Sequence, residues 1–150
     1  MTAQGISGFL TSELTALTYG LNSMDEIPDH LVVLRGSSRT IAYAQDATGK
    51  CLARDFLESK SCPKKDKSAL YHAFKQLASE GRVGNEERFK KERDQIWCFK
   101  SYQIRIGAFQ QGSVWFLTHG FVKKRNRVSK QELDRADRIR SEHLARRSGK

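Results

Sequence analysis

Residues 102–122 constrain the fold more than any other part of the chain. Tyr102, Ile104, Ile106 and Ala108 recur at every second position, so they share one face of a strand and Arg105 points to the other. Gln110-Gln-Gly112 reads as a hairpin turn. A second run, Val114–Val122, sets Val114, Phe116 and Thr118 on one side and Trp115, Leu117, His119 and Phe121 on the other. With an apolar run at 96–99 just upstream, these segments form an antiparallel meander. Such a meander is stable only when helices or further strands cover a face.

The rest of the sequence supplies that cover. Residues 31–34 and 39–44 are strand-like, separated by Gly-Ser-Ser, and Asp46-Ala-Thr-Gly49 is a turn. Leu52, Ala53, Phe56 and Leu57 fall on one face of a short helix. Pro63 suits the first turn of a second helix, whose stripe is Leu70, Phe74, Leu77 and Ala78 and whose end is Gly81. Ser129-Lys-Gln-Glu132 is a capping box opening a last helix, with a thin stripe of Leu133, Ala136, Ile139 or Arg140, and Leu144. Helices grouped on one side of a mostly antiparallel twisted sheet make an α+β fold. Two parts are expected: an N-terminal extension over 1–37, with a short helix between Gly5 and Gly20, and a main domain over 38–150.

Charge then points to partners. Residues 1–87 hold 10 Lys/Arg and 11 Asp/Glu, net −1, whereas residues 88–150 hold 17 and 6, net +11. A segregated positive field attracts polyanions, nucleic acid first, then an anionic membrane surface or an acidic protein. Three cysteines, Cys51, Cys62 and Cys98, form neither a disulfide set nor a paired metal motif, which suits a reducing cytoplasm. The first residues lack the pattern of a signal peptide, and no apolar run reaches the roughly 20 residues that span a bilayer. The histidines His30, His72, His119 and His143 are scattered, and phosphate-loop, zincin and nucleophile-elbow motifs are absent, so neither metal nor cofactor is expected.

What remains is a concentration of cations around the meander. Phe89-Lys90-Lys91-Glu92-Arg93 precedes it, Arg105 lies within it, and Lys123-Lys124-Arg125-Asn126-Arg127 closes it. RNA cleavage by an adjacent 2′-hydroxyl needs only such parts: a group that takes the hydroxyl proton, one that protonates the leaving oxygen, and cations that stabilise the phosphorane charge. A lysine crowded by cations loses its proton more readily, arginine binds phosphate through two N–H groups, and histidine exchanges protons near neutral pH. Each residue also has a plainer role. Arg105 would pair with a carboxylate across the sheet, and His119 would be a satisfied structural histidine. Lys123 and Lys124 would blunt a sheet edge, and Lys90 and Lys91 would be solvated. Trp97, Trp115 and Phe99 are expected in the core. Phe121, beside the cations, is the candidate for stacking on a base. The arginines of the last helix are expected on a solvated face.

The ordered series Arg82-Val-Gly-Asn-Glu-Glu-Arg-Phe89-Lys90-Lys91, Ile96-Trp-Cys-Phe-Lys-Ser-Tyr-Gln-Ile-Arg105-Ile and Leu117-Thr-His-Gly-Phe-Val-Lys-Lys124 resembles the RelE/HigB superfamily of toxins, most of all its phage-associated, HigB-like branch. The capped helix start Ser129-Lys-Gln-Glu-Leu133, with Arg135-Ala136, and the segments Arg39-Thr-Ile-Ala-Tyr and Ala53-Arg-Asp-Phe-Leu57 fit the same series, so the resemblance covers residues 38–145. It implies a RelE-like fold, with a helical hairpin and a C-terminal helix on the sheet. It also implies a ribosome-associated, metal-independent mRNA endonuclease restrained by a small antitoxin, often a helix-turn-helix protein. Matched by position, Arg105, His119, Lys123 and Lys124 become the catalytic candidates, and Lys90, Lys91, Phe121, Arg125 and Arg127 the RNA-binding ones. The sequence departs from the better-studied members in having no tyrosine in the final segment and in its N-terminal 35 residues.

Overall fold

The structure, a computed structural model, describes residues 26–149. The expected helix between Gly5 and Gly20 lies outside the described residues. A 3₁₀ turn, Asp29–Leu31, leads into β1 (Val32–Arg35) and β2 (Thr40–Tyr43). Helices α1 (Leu52–Leu57) and α2 (Lys64–Glu80) follow, then β3 (Phe89–Arg93), β4 (Ile96–Ser101), β5 (Ile104–Gln111), β6 (Val114–Val122) and α3 (Lys130–Ser148). The strands form one six-stranded twisted sheet in the order β1-β2-β6-β5-β4-β3, antiparallel except where β2 runs parallel to β6. The protein is α+β with a RelE-like arrangement. The boundary read at residues 37 and 38 falls in the turn between β1 and β2, so β1 adds an edge strand to the sheet.

Local chemistry accounts for most element ends. Asp46 Oδ1 accepts from the N–H groups of Thr48 and Lys50, closing the turn before α1. Gly81 ends α2 in the left-handed region at φ 80°, its N–H bonded to the Leu77 carbonyl. Ser129 caps α3 by accepting from the Glu132 N–H at 3.2 Å. The reciprocal half of the expected capping box is not made, because Glu132 Oε1 is bonded to His119 instead.

Two readings of the meander change. Residues 89–93 are themselves a strand, pairing Lys90 with Cys98 and Lys91 with Trp97 at the sheet edge. Strand β5 starts at Ile104 rather than Tyr102 and runs on through Gln111, so the following turn is Gly112-Ser113. Alternation along β6 is also broken. Ile106 pairs with Gly120 but Ala108 with Leu117, so a bulge sets Thr118 and His119 together opposite Gly107. A Cβ on Gly107 would lie 2.5 Å from Thr118 Oγ1 and 3.7 Å from His119 Nδ1. The bulge carries His119 and Phe121 onto the face that also bears Phe116, and turns Gly120 toward the ring of Phe56.

The helices do not share one side, as the sequence suggests they would. Adjacent residues of β4 separate the layers: Phe99 meets Phe74 of α2 edge to face at 4.7 Å, while Cys98 lies in a cluster with Phe121 and Val128 against which Leu133 of α3 packs. The hairpin α1–α2 therefore covers one face and α3 the other. Under the hairpin, Phe89 stacks on Phe99 at 4.3 Å and on Trp97 at 4.9 Å, with Trp115 against its edge. Under α3, the buried His143 contacts Phe116, and the guanidinium groups of Arg140 and Arg147 lie over Phe109 and Phe116 at 5.8 and 5.5 Å. These two arginines are half-buried against apolar rings, whereas Arg135, Arg138 and Arg146 lie on the solvated face expected for them.

Candidate nucleic-acid interface

The cations gather at one end of the sheet, on the α3 face. Lys100 on β4 pairs in register with Arg105 on β5, and Arg105 pairs with Phe121 on β6. Lys90 on β3 lies opposite Cys98 and so shares that face, whereas Lys91 lies opposite Trp97 and points to the hairpin side. Lys123 follows directly after β6, its N–H bonded to the Gln103 carbonyl. The Lys100 ammonium is held below its ordinary lysine pKa, first by burial and then by the charges of Arg105, Lys90 and Lys123, with Glu92 opposing them. Its neutral form is correspondingly easier to reach than that of a free lysine.

Arg105 is buried, and the charged state of its guanidinium is disfavoured mainly by that burial. Its Nη1 donates to the carbonyls of Tyr102 at 2.7 Å and Ile104 at 3.0 Å. Both bonds use one nitrogen, and no carboxylate pairs with the group among the described residues. The plainer expectation, an ion pair across the sheet, is not what Arg105 makes. Lys90, Lys91, Lys100, Lys123, Lys124, Arg125 and Arg127 likewise have no carboxylate within salt-bridge distance among the described residues. In contrast, Arg35, Lys130 and Arg138 each have one, and Arg93 has two.

Past the end of β6 the chain wraps a cleft of about 240 Å³ lined by Phe121, Lys123, Lys124, Arg125, Arg127 and the start of α3 at Ser129, Gln131 and Glu132. Val128 is buried with Phe121 and Cys98 and pins the loop to the sheet, while Lys124, Arg125 and Arg127 remain exposed. Lys123 Nζ donates to the Asn126 carbonyl at 3.1 Å, which holds the loop in a tight curve. The cleft therefore presents free cations beside the first N–H groups of a helix, a combination that favours bound anions.

Of the two roles expected for His119, catalytic group or satisfied structural histidine, its geometry is that of the second. It is 1 % exposed, its Nε2 lies 2.9 Å from Glu132 Oε1 and its Nδ1 3.2 Å from Thr118 Oγ1. Burial lowers its pKa, and the Glu132 carboxylate only partly opposes this. With both ring nitrogens engaged, His119 orients Glu132 at the cleft wall and does not itself face a bound molecule. Phe121, expected to stack on a base, is buried and stacks on His119 at 5.1 Å, because the bulge turns it under α3.

Two residues of this end escaped the sequence reading. Lys100 had no signal of its own, since its facing partner depends on where the β4–β5 turn falls. Tyr102 is 85 % exposed and occupies that turn at φ 54°. Among the described residues no three His, Cys, Asp or Glu side chains converge as metal ligands. No helix of the described residues is long and apolar enough to cross a membrane.

The fold places the protein in the RelE-like class. The family model described as "Phage derived protein Gp49-like (DUF891)" matches residues 58–141, more than half of the chain, and spans every cation of this surface. The chain belongs to this phage-derived, toxin–antitoxin-associated RelE-like family. No curated protein matches it.

Proposed function

We propose that this protein is an endoribonuclease toxin that cleaves mRNA by 2′-hydroxyl attack, working on the ribosome in the cytoplasm and restrained by a small helix-turn-helix antitoxin. The observation that carries the reading is the pairing of Lys100 with Arg105 inside a group of cations free of carboxylate partners. Solvated surface charge does not account for it, since the Arg105 guanidinium is buried and lowers the pKa of its neighbour. The series Tyr102-Gln-Ile-Arg105 and His119-Gly-Phe121 supports placing it near the HigB-like branch.

In this reading neutral Lys100 accepts the 2′-hydroxyl proton. The O2′–P bond forms, Arg105, Lys123 and Lys124 hold the phosphorane charge, and the P–O5′ bond breaks. Protonated Lys123 returns a proton to the leaving 5′-oxygen. The products are a 2′,3′-cyclic phosphate and a 5′-hydroxyl end. Lys90, Arg125 and Arg127 bind the flanking phosphates, and His119 holds Glu132 in place at the cleft wall.

The test is induced expression of wild type, Lys100→Gln and Arg105→Ala with Lys124→Ala in a bacterial host, with mapping of mRNA 5′ ends. Growth arrest, new internal ends that need phosphorylation before ligation, and loss of both in the variants at equal protein level are expected. Removing one group that stabilises developing charge lowers the rate by about 10²- to 10³-fold. Normal growth with intact mRNA from soluble wild type would sink the reading in favour of a non-catalytic RNA-binding or phage-related interaction protein.

A further inference from the structure

We infer that Tyr102 is a stacking platform for a nucleobase of the single-stranded RNA whose phosphate lies at Arg105 and Lys100; the inference rests on the function proposed above. Tyr102 and Val122 are the exposed large apolar side chains of the described residues, and both lie at the cationic end of the sheet. Val122 pairs with Ile104, the residue that follows the Tyr102-Gln103 turn. A tyrosine at 85 % exposure contributes nothing to the core, so burial does not explain its presence there.

Its backbone adds a second argument. Tyr102 is the one non-glycine residue with positive φ among the described residues, at 54°. Glycine or asparagine adopts that conformation with less strain, and a bulky residue held there is retained by its surroundings. Here the holding group is Arg105, whose Nη1 donates to the Tyr102 carbonyl at 2.7 Å. The phosphate-binding residue and the exposed ring are thus fixed to each other through one hydrogen bond. This is the arrangement of a single-strand site, in which cations track the backbone and an aromatic ring takes a base.

The probe is a short RNA with 2′-O-methyl riboses, which cannot undergo 2′-hydroxyl attack, carrying 2-aminopurine at successive positions. Wild type is expected to quench one position strongly. Tyr102→Asn, which suits the turn and removes the ring, is expected to abolish the quench and weaken binding about 5- to 150-fold, the range that one base stack represents. Tyr102→Phe should retain both. The slope of log affinity against log salt should be unchanged in Tyr102→Asn, since no phosphate contact is lost. A changed slope would mean a disturbed cation cluster and would overturn the stacking role. So would quenching and affinity equal to wild type in Tyr102→Asn, or no quenching by wild type at any position. In those cases mRNA cleavage in the cell would leave the nuclease reading standing, whereas absence of cleavage would remove both.

Discussion

A lysine facing three other cations on a sheet titrates below its ordinary range, and the displacement is readable in kinetics. Burial and the charges of Arg105, Lys90 and Lys123 all favour neutral Lys100. If neutral Lys100 is the base, the cleavage rate climbs with pH to a plateau whose midpoint lies below the value of about 10.4 for a free lysine. Lys90→Gln removes one of the repelling charges, so the midpoint should move to higher pH. A midpoint that stays put or falls would mean that another group sets the profile. Arg105 was legible in the sequence because strand alternation isolates it from the apolar positions. Lys100 was not, because its neighbours are set by cross-strand register, and that register depends on a Ser-Tyr-Gln turn without the glycine or asparagine that normally announces one.

Among the elements, α3 is held by polar contacts at its C-terminal end as much as by its thin apolar stripe. His143 Nδ1 accepts from the Gln45 N–H at 2.9 Å, and Glu142 accepts from the Ala47 N–H at 2.9 Å, tying the helix to the loop after β2. A ring nitrogen that accepts cannot also carry a proton, and burial with the charges of Arg147 and Arg146 pushes His143 down to about 4. The folded pKa lies below the unfolded one, so the neutral form's contribution is complete above about pH 6.5 and is lost as pH falls toward 4. His143 should contribute roughly 3 kcal/mol of this dependence, with His119 acting in the same direction. A lower Tm at pH 4.5 than at pH 7.5 is expected, with a smaller difference in His143→Gln. An equal difference in wild type and variant would place the dependence elsewhere. The helices themselves were legible from their stripes and ends: Gly81 and Ser129 stand where the sequence puts them. The side of the sheet that α3 takes was not, because its stripe is apolar on either face. The bulge at Thr118 and His119 was equally hidden, and it moved Phe121 from candidate surface to core.

At the scale of the whole molecule, the charge asymmetry in the sequence becomes a spatial one. Cations of β3, β4, β5 and the loop after β6 meet at one end of the sheet, while Arg140 and Arg147 are drawn over the aromatic rings beneath α3. The excess of residues 88–150 is thus divided between a group gathered at that end of the sheet, which the proposed function assigns to RNA, and a structural one. The division is measurable. Binding of a non-cleavable RNA should weaken as salt rises, and each phosphate contact removed should make the log–log slope shallower by about 0.7. Lys124→Gln should flatten it, whereas Arg140→Met, beneath α3, should leave it unaltered. Equal slopes for Lys124→Gln and wild type would remove that lysine from the interface.

Strand β6 lies inside the sheet between β2 and β5, and it pairs residues 40–43 with residues 114–117. Closing so long a loop must precede the contacts that reward it, which makes this pairing a late event in folding. Until β6 arrives, β2 has no parallel neighbour, Phe56 has no Gly120 to lie against, and the loop bearing Lys123, Lys124 and Arg127 has no floor. On the function proposed above, a nascent chain whose β6 has not yet paired with β2 would therefore lack a cleaving surface, and the message it is read from would be spared until that strand is in place.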